Sequence, residues 1–143
     1  MSTRPAPPGG MSAAPIEATT PSGVRIDLVA IAHESCRRYE LEFPDERERY
    51  GPTGTQWCQH DNQHVLNWAA LSLTGMLDLE EKLAWLGLIL EARQFPLDRY
   101  AHSLELLAQT VRAAAPAAVD LAARLESGAT FVRSTASFVP NAV

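Results

Sequence analysis

Cys58, Gln59, His60 and Asp61 stand in a row near the start of an apolar-periodic stretch. They are followed by His64, Trp68 and, further on, Trp85. On an α-helix each residue turns by about 100°, so positions three and four apart share a face. Cys58, Val65, Ala69 and Leu73 then point the same way, with Leu66 beside them. Asp61 falls about 60° round from Cys58, with Trp68 nearby and His64 further out. A thiol, a carboxylate, an indole and an imidazole are thereby gathered along one edge of an apolar surface. Apolar walls with a few placed polar groups are what ligand pockets are made of, and this edge suits a large, flat, mostly apolar ligand. The same spacing also fits a purely structural reading. A cysteine within an apolar helix face is a small buried hydrophobe, an aspartate near a helix start favours the positive dipole end, and Trp68 and Trp85 are core residues. Spacing alone leaves both readings standing.

Other chemistries are weaker. His60 and His64 sit four apart and could chelate zinc with Cys36, His33 or Cys58. However, Cys58 points nearly half a turn away from His60, and no His-Glu-x-x-His pattern is present, so the two histidines read as polar residues on a solvated face and no metal site is expected. Nor is an enzyme expected. The chain has no Gly-rich phosphate loop, no nucleophile elbow and no distinctive pair of carboxylates. Glu80 with Glu81, and Asp45 with Glu46 and Glu48, read as helix-start charges. Arg37, Arg38, Arg47 and Arg49 form a modest basic cluster.

These residues need a scaffold, and the bulk numbers bound it. A chain of 143 residues with 46% hydrophobic content fits one domain with a real core. With 17 acidic and 12 basic residues the net charge is −5, which provides no basic footprint for nucleic acid or for an anionic membrane surface. No apolar run is long enough to span a bilayer. Met1 to Pro21 lacks the apolar core of a secretory signal, so a cytoplasmic protein is the expectation. Cys36 and Cys58 are too few for a disulfide scaffold, and free thiols are expected in a reducing compartment.

The elements read as helices throughout. Residues 1–21 are rich in Pro, Ala, Ser, Thr and Gly and read as a disordered arm. Val24, Leu28, Ile31, Ala32 and Ser35 keep helical spacing, and that helix runs to about Phe43, before Pro44. Pro44 to Thr55 reads as a connector with at most a short helical turn over Asp45 to Arg49. Thr55 suits an N-cap for a helix continuing through Leu73 to a stop at Gly75. Asp78 with Glu81 makes a capping-box pattern. Leu79, Leu83, Leu86 and Leu90 line one face of the next helix, and Trp85, Leu88 and Ile89 widen that face until the helix reads as central and buried. After the Phe95-Pro96 break, Leu97, Tyr100, Leu104, Leu107 and Val111 mark a fourth helix. Pro116 can start a last helix ending near Gly128. Thr130 to Val143 is ambiguous between a tail and an extended strap. No strand pair stands out, so the expected fold class is all-α.

The stretch Trp57-Cys-Gln-His-Asp-Asn-Gln-His-Val-Leu-Asn-Trp-Ala, followed by Leu79 through Trp85 and Leu90 to Arg93-Gln-Phe-Pro, resembles the phycobiliprotein-type branch of the globin superfamily. It is more similar still to the simpler bilin-associated globin-like proteins of diverse bacteria. The resemblance covers roughly Leu28 to Val111, and only its Cys-x-x-Asp is sharp. His64 and Val65 fall where the family carries an aromatic pair, and Leu66 matches the leucine that follows. The resemblance implies a globin-like (phycobiliprotein-like) helical bundle; the helix pattern bounds that domain at residues 22–128, with a tail over 129–143. It implies a linear tetrapyrrole (bilin) as cofactor. Cys58 would add to a vinyl or ethylidene carbon to form a thioether. Asp61 would accept hydrogen bonds from the inner pyrrole N–H groups, as charge-assisted bonds allow. His60 stands where the family places an Arg for a propionate, and a neutral imidazole is the weaker partner. His64, Trp68 and Trp85 would wall the site. The family's long stacking helices at the amino terminus are missing, so a sensor, carrier or sequestering role is expected rather than an antenna. Haem is the alternative cofactor, with His64 or His33 as axial ligand, and the lack of Cys-x-x-Cys-His excludes c-type attachment. The rival from another class is a ligand-free globin-like module acting through a signalling partner protein or as a homodimer.

Overall fold

Asp27 decides where the first helix starts. Its carboxylate accepts the Ala30 backbone N–H at 3.0 Å, and helix α1 runs over Leu28–Glu42. The computed structural model describes residues 13–140. Ahead of Asp27 the chain is not the disordered arm expected over residues 1–21. Strand β1, Glu17–Thr19, pairs antiparallel with β2, Arg25–Asp27, with Ala18 opposite Ile26. Residues 1–12 of that arm lie outside the described residues. The turn between the strands uses Gly23 at φ +88°, a conformation that suits glycine. Gln63, fully buried on the second helix, donates its Nε2 to the Pro15 carbonyl at 3.1 Å, and Ile26 is buried in the core. Three-residue strands are too short to leave a periodic signal, and the Pro15 anchor lies 48 positions from Gln63, which is why composition alone suggested disorder around β1. Strand β2 also corrects the helix expected from near Ser22 through Val24, since α1 starts only at Leu28.

Helix α2 spans Asp45–Ser72 and overturns the expected connector. Asp45, Glu46 and Glu48 fill its first turn, where carboxylates favour the dipole, and Gly51 (φ 64°, ψ −162°) breaks its backbone. Pro52 then restarts it from a position where its missing N–H costs nothing. Thr55 is therefore inside the helix rather than at its cap, and its hydroxyl donates to Glu40 on α1. The helix ends before Gly75, at φ +77°, as the glycine suggested. Helix α3, Leu79–Ala92, is capped by the Asp78 carboxylate accepting the Glu81 N–H at 3.3 Å. Helix α4 is Leu97–Ala114 and α5 is Val119–Arg133, three residues later at its start than Pro116 suggested. Nor does α5 stop near Gly128. That glycine is where α5 meets α3, and a Cβ there would come within 2.8 Å of Leu83 Cδ1. Beyond Arg133 the chain forms a strap. Its Phe138 ring packs over Gly87, and its Ser137 hydroxyl donates to Glu91 at 2.7 Å.

The fold is mainly helical, with five helices and one two-stranded hairpin among the described residues. Helix α4 packs along α5 and across α1, α1 lies along α2, and α3 touches α2, α4 and α5. Leu66, Leu83, Leu104, Leu107, Leu121 and Leu125 meet in the core. Helix α3 is not the buried centre expected. Leu79, Leu83 and Leu86 face inward, while Trp85 is 52% exposed and Leu88 is also exposed. Among the described residues no helix is long and apolar enough to cross a membrane.

Candidate functional site

The break at Gly51 separates the first turns of α2 from the rest. Between those turns, the middle of α2, the end of α3 and the start of α4 lies a cavity of about 300 Å³. Trp57, Val65, Leu86, Leu90 and Phe95 supply apolar wall, and Tyr39 and Tyr100 close it from α1 and α4. Cys58 and Asp61, one turn apart on α2, both line this cavity, as does Asn62. The helix spacing read from sequence thus brings the thiol position and the carboxylate to one space.

Cys58 is not a free thiol. Its sulfur is bonded to that of Cys36 across α1 and α2, with the two Cα atoms 6.1 Å apart, and this corrects the expectation of two free cysteines. The pair is 22 residues apart in sequence, with no Cys-x-x-Cys spacing to announce it. It forms because α1 and α2 lie side by side with both cysteines on the facing surfaces. Asn62 Nδ2 donates toward Cys36 Sγ at 3.2 Å and lies 3.6 Å from Cys58 Sγ.

The other four expected site residues go elsewhere. His60 is buried rather than solvated, with Nδ1 at 3.3 Å from Asp61 Oδ1. Its ring meets Trp57 edge-on at 5.9 Å and His64 at 4.7 Å. His64 continues to Trp68 at 5.8 Å, and Trp68 to Trp85 at 6.2 Å. Thus His60, His64, Trp68 and Trp85 form a ladder of rings that crosses from α2 to α3 and does not line the cavity. Burial pushes the His64 imidazole below its ordinary value, and the neighbouring His60 pushes it further, partly offset by Asp61. Among the described residues no group of three or more His, Cys, Asp or Glu side chains comes together to hold a metal.

Among the described residues two cations face the cavity. Arg47 belongs to the basic cluster seen in the sequence. Arg93 carries no sequence signal, and its guanidinium lies 4.0 Å over the Trp57 ring. Arg37 and Arg38 instead pair with Glu34. At the far wall the Tyr39 hydroxyl donates to Glu46 at 2.9 Å, and Arg99 bridges Glu46 and Asp45. Burial and the Glu46 carboxylate hold the Tyr39 phenol well above its usual range, so it stays a neutral donor. Tyr100, buried and donating to the Leu83 carbonyl at 2.8 Å, is likewise held neutral.

No protein-family profile, curated protein or solved structure matches this chain. The geometry therefore carries the functional argument alone. Asn62, Arg93, Trp57 and Phe95 line the site although sequence reasoning gave them no site role. Asn62 had a signal, since it stands four positions after Cys58 on the same face. Arg93 had none, because it reaches the site from the end of another helix.

Proposed function

We propose that this chain is a globin-like domain that binds a flat, mostly apolar small molecule in the cavity between α2 and α3, with a linear tetrapyrrole as the ligand. One observation carries the reading: Cys58 and Asp61 line the same apolar cavity. Asp61 would accept hydrogen bonds from pyrrole N–H groups, and Arg47 and Arg93 would meet the propionates that His60, turned into the ring ladder, does not reach. Trp57 and Phe95 would lie against the ring faces. The cavity lies at the lower end of the roughly 300–1,000 Å³ usual for ligand pockets. Seating all four rings requires the Asp45–Tyr50 turns to swing outward about Gly51. Thioether formation requires a thiol reductant to supply two electrons and release Cys58 from Cys36 as a free S–H. Its S–H then adds across a vinyl or ethylidene double bond, sulfur to one carbon and hydrogen to the other. Haem fits less well, because no imidazole lines the cavity among the described residues, and His33 is exposed on α1.

Biliverdin titration tests the reading. A saturable, red-shifted absorption band at one ligand per chain is expected, with affinity falling at least about tenfold in Asp61→Asn as a charge-assisted bond is weakened. A zinc-stained denaturing gel after reduction reads out covalent attachment, which Cys58→Ala should abolish. A folded protein that takes up neither biliverdin nor haem sinks the ligand reading. A second reading, a ligand-free contact module, rests on Trp85 and Leu88 standing exposed on one side of α3. Its signature would be a second copy bound through that face, lost in Trp85→Ser.

A further inference from the structure

We propose that the Cys36–Cys58 disulfide is a thiol-exchange site. A small uncharged thiol enters the α2–α3 cavity, attacks the Cys58 sulfur and expels Cys36 as the leaving thiolate. Exchange depends on which sulfur is accessible and on how well the other is stabilised as it leaves. The two sulfurs differ in both respects. Cys58 lines the cavity and is partly exposed, whereas Cys36 is 1% exposed and does not line it. The Asn62 amide, itself buried, donates to Cys36 Sγ at 3.2 Å, closer than to Cys58 Sγ at 3.6 Å. A hydrogen bond to the charged form of a leaving group stabilises it, so the donor stands beside the sulfur that must carry the charge. Most of the wall is apolar and its charges are of both signs, with Asp61 and Glu46 against Arg47 and Arg93, so a small uncharged thiol is repelled by neither.

The step balances. The incoming thiol loses its proton to solvent, and its thiolate forms a bond to the Cys58 sulfur as the Cys58–Cys36 bond breaks. The electron pair leaves on Cys36, which then takes a proton. A second thiol attacks the adduct, releasing the small-molecule disulfide and the Cys58 thiolate, which is protonated in turn. Two thiols are oxidised and one protein disulfide is reduced by two electrons. The outcome unclasps α1 from α2 and delivers a free Cys58 thiol into the cavity. This inference does not depend on which ligand the cavity takes.

The test uses the full chain purified without reductant and treated briefly with 2-mercaptoethanol. The reaction is quenched with N-ethylmaleimide, and the modified peptides are mapped by mass. The mercaptoethanol adduct is expected on Cys58 and the maleimide on Cys36, in roughly tenfold or greater excess over the reverse arrangement. Equal or reversed labelling would overturn the proposal. So would a bond that opens only in denaturant, or two cysteines that stay unpaired after mild oxidation of the folded protein. In Asn62→Ala, opening should slow roughly threefold to tenfold, the size of one hydrogen bond, while the urea-unfolded variant reacts at the wild-type rate. Unchanged opening in the folded variant removes Asn62 from the mechanism. If that variant does not fold, the wild-type labelling pattern still decides the site of attack. Selective labelling of Cys58 without any biliverdin colour would reject the tetrapyrrole alone.

Discussion

His64 shows at the residue scale what the ring ladder does to chemistry. Its imidazole is held below the ordinary value of 6.5 by burial first and by the His60 ring second. A base whose folded pKa is depressed takes up protons more readily in the unfolded chain. Its contribution to stability is therefore present above about pH 6.5 and is lost as the pH falls through the lowered folded value. Urea midpoints between pH 7.5 and 5 should fall for the wild type and fall less for His64→Gln. Identical slopes would show that His64 does not titrate differently on folding. The sequence placed His64 on the edge of an apolar face but also read it with His60 as solvated, and its partial burial fits only the first of these. It could not show that His60 is buried beside it, because helix phase gives direction and not what packs opposite. Asp61 and Cys58 were legible as one cluster because they share a turn. Trp85 was misplaced, since a helix that looks apolar all round still has to turn one side away from its neighbours.

At the scale of elements, glycines and caps explain most boundaries. Asp78 caps α3 through its carboxylate and Gly75 ends the turn after α2, each at a position read from residue type, whereas the Asp27 cap starts α1 later than the spacing of Val24 and Leu28 suggested. Gly51 and Pro52 looked like loop residues because either one ordinarily interrupts a helix. Together they break α2 and restart it, and Gly51 at the break lines the cavity. Gly87 plays a different part. A Cβ there would overlap the Phe138 ring, so glycine is what lets the carboxy-terminal strap lie on α3. Gly87→Ala should displace the strap and lower stability by about 1–3 kcal/mol, as overpacking does. The urea midpoint reads the loss. A Phe138→Ala chain, already without the ring, should show little further effect of the alanine. Equal costs in both backgrounds would mean that the clash is relieved elsewhere.

The whole molecule is held by contacts that join distant segments. Glu46 receives the Tyr39 hydroxyl from α1 and the Arg99 guanidinium from α4, tying three helices at one end of the cavity. The disulfide ties α1 to α2 nearby and closes a loop of 22 residues' separation. Restricting the unfolded chain in this way stabilises the fold by about 3 kcal/mol. Urea unfolding of the oxidised protein against the same protein in dithiothreitol should show that difference, and the Cys36→Ala/Cys58→Ala chain should resemble the reduced form. Coincident curves for all three would show that the link adds nothing to stability.

What the sequence by itself determined was local. Helical class, most helix ends, and the pairing of Cys58 with Asp61 on one face follow from periodicity, caps and a rotation of about 100° per residue. What only the tertiary structure decided was which segments meet. It brought Cys36 to Cys58, Arg93 to Trp57, Pro15 to Gln63 and Phe138 to Gly87. It also turned His60 into a buried ladder and Trp85 to the surface. The physical reason is that spacing along one helix constrains direction, whereas a partner far along the chain is selected by the packing of all five helices at once.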